Sequence, residues 1–306
     1  MGFISRPFGI LLLWLNNFFG SYGWALIFFT VIVKLILLPL SIKQQKSMQQ
    51  TQKIQPELAA IQSKYKNDKE KLNEETMKLY KKHNVNPAGG CLPMLIQFPI
   101  IIGLYQVVIR PLTYMFNISA EKIAELTTLV NGAIVSGGGA EIAAARQSEI
   151  LVAQHLTPEI LSTAGLENIS LINFDFLGLN LGSTPDMQWL NALWIIPILA
   201  ALTTYLSSKV SMAMSGNTSQ PENSAASTMK TMNMIFPLMT AWLAFTMPAG
   251  VGLYWIIGNI IQVVQQLALN WYFKSKAPEQ QESVIESGSP KSSGTGKKSA
   301  KKGGKK

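Results

Sequence analysis

Apolar residues fall into long unbroken runs along this chain, without the two-residue alternation of a half-buried strand or a membrane barrel. A bilayer core of about 30 Å is crossed by roughly 20 residues of helix. Residues 23–42 make one such run, with a single charge at Lys34. Residues 91–116 make a second, with Arg110 near the end. Residues 189–206, 232–247 and 250–273 are uncharged. Only a tight turn, Pro248-Ala249-Gly250, separates the last two. The pattern predicts an all-α integral membrane protein with five spans.

The first twenty residues differ. Ile10 to Leu15 is too short to span. Ile4, Phe8, Leu11, Leu12, Leu15, Phe18 and Phe19 recur at helical spacing. Residues 1–20 therefore read as an amphipathic helix in the membrane interface. An uncleaved signal anchor is the alternative, since no small-residue cleavage site follows.

Charge sharpens the picture. Charged residues are 14% of the chain, against about 25% in a soluble domain, yet the net charge is +9. So few charges with such an imbalance must be segregated. Residues 43–88 hold ten lysines and five acids, 207–231 two lysines and one acid, and 274–306 nine lysines and three acids. Residues 117–187 hold two basic residues and eight acids. The positive-inside rule puts the first three segments in the cytoplasm and the fourth outside. Five spans then run from an outer N-terminus to a cytoplasmic C-terminus. One cysteine, Cys91, excludes a disulfide scaffold, and the apolar content excludes a disordered chain.

Between the spans, 43–88 reads as a cytoplasmic helical hairpin. Ile54, Leu58, Ile61 and Tyr65 form one stripe; Leu72, Leu79, Tyr80 and His83 form another. Asn67-Asp68 marks the turn and Pro56 starts a helical segment. The hairpin is either a linker that packs on itself or a docking arm. In 117–187, helices are expected near 120–130 and 140–156, separated by Ser136 and the glycines after it. The tail 274–306, ending in paired lysines among Gly and Ser, reads as disordered. It either sets topology or attracts phosphate from anionic lipid or RNA.

Lys34 is the most informative residue. At the centre of a span a lysine costs about 2.5–3.5 kcal/mol. It lies seven residues before Ser41, about 10 Å inside the cytoplasmic boundary at 1.5 Å per residue. Gln97 is seven residues after Gly90, so the two are expected at similar depth on antiparallel neighbours. Thr30 is one turn from Lys34, and Trp255 and Asn259 are one turn apart in the fifth span, with Gln262, Gln265 and Gln266 beyond. These groups make either a wet cationic recess or a set of polar ties between helices. Catalytic machinery is not indicated. No span contains a carboxylate, His83 and His155 fall on opposite sides, and no Walker or Rossmann glycine motif or metal-ligand cluster occurs. No enzyme activity, cofactor or metal is expected. Cys91, in a helix-entry turn, reads as packing.

Four stretches carry a resemblance: 30–40 (TVIVKLILLPL) with Gln55-Pro56-Glu57; 84–87 (NVNP) with 90–100 (GCLPMLIQFPI); 248–255 (PAGVGLYW); and Gly258-Asn259. In this combination and order the chain resembles the YidC/Oxa/Alb family of membrane-protein insertases, from about residue 4 to 273. The resemblance implies five core helices around a hydrophilic groove, open to cytoplasm and lipid and closed outside, with a cytoplasmic hairpin below. It places Lys34, Thr30, Gln97, Trp255, Tyr254 and Asn259 in that substrate groove. It implies insertion of nascent membrane proteins into the bacterial cell membrane, alone or beside the Sec translocon. The hairpin and basic tail would meet ribosomes, with nucleic-acid contact limited to ribosomal RNA, and anionic lipids would meet the tail. Most relatives carry Arg where this chain has Lys34, and about 121–168 looks inserted. The five-span form is similar to those of Gram-positive bacteria, which often begin with a lipoprotein signal; this sequence has no cysteine near residue 1. A small-solute or ion transporter using Lys34 is the competing reading, weakened by the absence of intramembrane carboxylates and repeats. A structural scaffold is a third.

Overall fold

The computed structural model describes residues 2–85, 92–142, 148–186, 188, 190–214 and 224–287. Cys91, the core of the 207–231 loop and the lysine pairs of the tail lie outside them. The described chain is mostly helical. Its helices are α1 (Gly2–Phe19), α2 (Tyr22–Ile36), α3 (Leu38–Lys53), α4 (Gln55–Lys64), α5 (Lys69–Lys82), α6 (Leu92–Ile109) and α7 (Pro111–Tyr114). Then come α8 (Ala120–Ser136), α9 (Ser148–Gln154) and α10 (Pro158–Thr163). A two-stranded hairpin follows, β1 (Asp175–Phe176) and β2 (Leu179–Asn180), and then α11 (Ile195–Met214), α12 (Ser224–Thr246) and α13 (Ala249–Ser287).

The first run is not one straight helix. It breaks at Leu37, and α3 leaves α2 at 57°. Pro39 in the first turn of α3 has no N–H to give the carbonyl four residues back, so the chain turns there. Among the described residues, two helical stretches are long and apolar enough to cross a bilayer, Ala192–Met214 and Ala249–Phe273. The bent pair is a third if it counts as one span, and Gln97–Ile109 and Ile235–Thr246 are shorter apolar helices. The second run is also interrupted, at Arg110, where Pro111 opens α7. Outward faces are greasy: Leu202, Leu206, Leu238 and Trp242 are all more than half exposed, which suits lipid and not water.

The helix α1 does more than lie on a surface. It packs against α2, α6 and α7, burying Leu12 and Leu15 while Phe3, Ile10, Trp14 and Phe18 stay exposed. The helix α13 is the hub, touching α2, α3, α6, α11 and α12. It continues to Ser287, so the backbone expected to be disordered from 274 is helical for its first part. The hairpin β1–β2 has no counterpart in the sequence pattern; two-residue strands are too short to leave a readable alternation.

In the hairpin, α4 and α5 lie together over a small core of Ile54, Leu58, Leu79 and Val85, flanked by Ile61 and Tyr80. The Asp68 side chain caps α5 by accepting from the Lys71 amide at 3.0 Å. His83 does not join that core; its ring meets the Glu57 carboxylate at 3.2 Å, with Lys82 at 3.6 Å. His83 and then Lys82 hold the Glu57 carboxyl below the usual carboxylate range. A lowered carboxyl pKa means this contact is present above the unfolded value of about 4.3 and is lost as pH falls through the lowered one. Limited proteolysis at the 65–68 turn should therefore accelerate below that pH. Leu58→Ala should accelerate it at neutral pH, through a local loss of about 2–4 kcal/mol.

Candidate functional site

Lys34 sits in the last turn of α2, half-buried. Its side chain passes over Gly258, where an added Cβ would lie 3.7 Å from the lysine Cε. The ammonium Nζ donates to the Gln262 side-chain oxygen at 3.5 Å. Among the described residues no carboxylate lies within ion-pair distance of it; every ion pair there belongs to the hairpin or to α8. A charge removed from water without a counter-charge is costly and keeps an unsatisfied pull on any anion that comes near.

The other expected residues are placed around α13 in three directions. Gln97, on α6, donates its amide to the Tyr254 hydroxyl at 2.9 Å, and Tyr254 is 2% exposed. Asn259 donates to the Thr203 and Thr204 hydroxyls at 3.2 and 2.9 Å, tying α13 to α11. Trp255 is partly exposed between these two faces. Thr30 is fully buried and its hydroxyl donates to the Leu26 carbonyl one turn back, at 2.7 Å. That bond leaves the Thr30 oxygen as an acceptor only, so it narrows the polar surface drawn from spacing.

The structure supplies partners that spacing does not. Spacing sets Lys34 and Gln97 on neighbouring antiparallel helices; each side chain reaches α13, through Gln262 and Tyr254, and α1 packs against both α2 and α6. The resemblance sets Asn259 in the groove, and its amide nitrogen is engaged by the two α11 hydroxyls. Spacing along one helix gives depth but not which neighbour a side chain meets. The partners Thr203 and Thr204 were missed, although two adjacent hydroxyls in an apolar span are a readable sign of a polar tie. Gln262 stood out in the sequence only as one of several amides.

A family model described as 60Kd inner membrane protein matches residues 14–276. The chain belongs to that family. Among relatives, membrane protein insertase YidC 2 of Listeria innocua is 32% identical over 99% of this chain and 84% of its own length. Membrane protein insertase YidC of Clostridium perfringens is 35% identical over 80% of this chain and 77% of its own. That of Oceanobacillus iheyensis is 34% identical over 82% and 75%. The motifs at 30–40, 90–100 and 248–259 fall inside the matched range, so the family is the one those motifs pointed to. Lys34, Gln97 and the polar face of α13 lie within the same range.

The Asn259 tie is testable by a double-mutant cycle in detergent. Asn259→Leu should cost about 1 kcal/mol of unfolding free energy, in line with interhelical hydrogen bonds in membranes. Thr204→Val should then cost less in the Asn259→Leu background than in the unaltered protein. Additive losses would mean the two side chains are not coupled.

Proposed function

We propose that this protein is a membrane-protein insertase and chaperone that works through a polar groove beside α13. The observation that carries the reading is Lys34, half-buried among apolar helices and met, among the described residues, by a neutral amide and no carboxylate. A charge held that way suits a transient acidic guest better than a permanent structural role. Five spans, counting the broken first run and the shorter apolar helices as crossings, put the termini on opposite sides, and the lysine-rich segments put the C-terminus in the cytoplasm of a bacterial cell.

A hydrophilic, acidic segment of a new protein enters from the cytoplasm. Lys34 attracts its charge, and low dielectric strengthens that attraction. Gln97 and Gln262 offer amide groups that exchange with water or with the guest's backbone, and the buried Tyr254 hydroxyl holds Gln97 in place. The polar segment then faces a thinner apolar barrier than an intact bilayer. The guest's apolar helix moves along Trp255 into lipid, and burial of that helix supplies the free energy. No covalent bond is made or broken, and no nucleotide is needed. The hairpin α4–α5 and the basic tail receive ribosomes and nascent chains, with the Sec translocon as a further partner and anionic lipid around the tail.

Lys34→Ala and Lys34→Glu should abolish growth in a cell depleted of its own insertase, whereas Lys34→Arg should support it. Full growth of the alanine variant contradicts the groove mechanism. Liposomes holding the purified protein should pass no ions or small solutes; a steady flux would favour a transporter.

A further inference from the structure

The first-turn N–H groups of a helix have no partner within it and need an acceptor from elsewhere. For α2 and α13 the acceptors come from one distant loop. The Tyr22 amide donates to the Asn173 carbonyl at 3.2 Å. The Ala249 and Gly250 amides donate to the Ser183 and Leu181 carbonyls at 2.9 and 2.8 Å. The loop is stiff enough to hold these carbonyls in place. Asp175 pairs with Asn180 and Phe176 with Leu179, and the Leu181 amide donates to the Phe174 carbonyl at 2.9 Å. The turn residues Leu177 and Gly178 both have positive φ, 52° and 78°, as a tight two-residue hairpin requires.

Side chains complete the joint. Gly23, in the first turn of α2, leaves the space that the Phe176 ring fills; any side chain there would collide with it. Trp24 meets the same ring edge-on, with centroids 5.7 Å apart, and Phe174 lies against Tyr22 at 5.0 Å. A Cβ on Gly250 would stand 3.1 Å from Leu26 and 3.2 Å from the Leu181 carbonyl, so glycine lets α13, α2 and the loop meet. Behind the loop, the Ser183 hydroxyl donates to Gln154 at 3.3 Å, linking it to α9.

We propose that the outer closure implied by the family resemblance is made in this chain by residues 173–183, a clamp that pins together the outer ends of the helix bearing Lys34 and the helix bearing Tyr254 and Gln262. This rests on the groove reading above. A cationic polar recess open at both ends would leak; the clamp makes it blind. The helix-end amides are met by backbone carbonyls and the packing by two rings, so the sequence of the loop is constrained mainly at Phe174, Phe176 and Gly178.

Two measurements test it. On the unaltered protein, hydrogen exchange at the Ala249 and Gly250 amides should be at least about a hundredfold slower than in an unstructured peptide. Rates closer to the peptide's than that overturn the clamp. In a Cys91→Ser background, Gln97→Cys should react with an impermeant maleimide from the cytoplasmic side and not from outside. Adding Phe176→Ala or Gly23→Val should raise labelling from outside at least fivefold. A smaller rise, in variants that still label from the cytoplasm, overturns the seal and leaves the groove standing. No labelling from the cytoplasm in any variant overturns both. Should the variants fail to fold, the exchange rates of the unaltered chain decide.

Discussion

A cation inside an apolar bundle has to be answered by something, and among the described residues Lys34 is answered by a neutral amide, Gln262. Much of the surrounding architecture follows from that. The amide comes from α13, so α13 must lie against α2, and the ammonium stem needs the open face that Gly258 provides. The same helix then takes Gln97 through Tyr254 on one side and Thr203 and Thr204 through Asn259 on another. Unpaired polar groups are costly in a low-dielectric bundle, and Lys34, Gln97 and the two α11 hydroxyls each find a partner on α13.

The break at Leu37 sets where that charge lies along its helix. A straight helix through residue 42 would carry Lys34 about two turns from its end. With α2 closing at Ile36, Lys34 lies within the last turn, where cations are also favoured by the helix dipole. The helix α3 then runs off at an angle and comes against α13, with the Lys46 ammonium 5.9 Å from the centre of the Phe273 ring. The small core of Ile54 and Leu58 with Leu79 begins only where Pro56 restarts the helix. The hairpin is thus a separate packing unit hung from the broken span.

Residue spacing carried the helical elements well where one face is strongly apolar and the chain is punctuated. Asn67-Asp68, Pro56 and Ser136 with its glycines each fall at a boundary in the structure. It failed at features that depend on a third body. The break at Leu37 was hidden because Pro39 is tolerated in a first turn and the flanking residues are all apolar. The placement of α1 between α2 and α6 leaves the same helical stripe as a surface helix would. Lys34, Gln97 and Asn259 stood out because each is expensive in an apolar run, but expense identifies a residue and not its partner. The clamp at 173–183 was illegible for a related reason: carbonyls make its contacts, and every residue has one.

The central claim is that the polar face of α13 beside Lys34 receives the substrate. Photoreactive side chains at positions 97, 255 and 262 leave Lys34 intact and surround that face. Each should crosslink to a ribosome-bound nascent chain carrying a single apolar span, while the same probe at the lipid-facing position 242 should not. Crosslinks from 242 alone, with 97, 255 and 262 silent, would contradict the account.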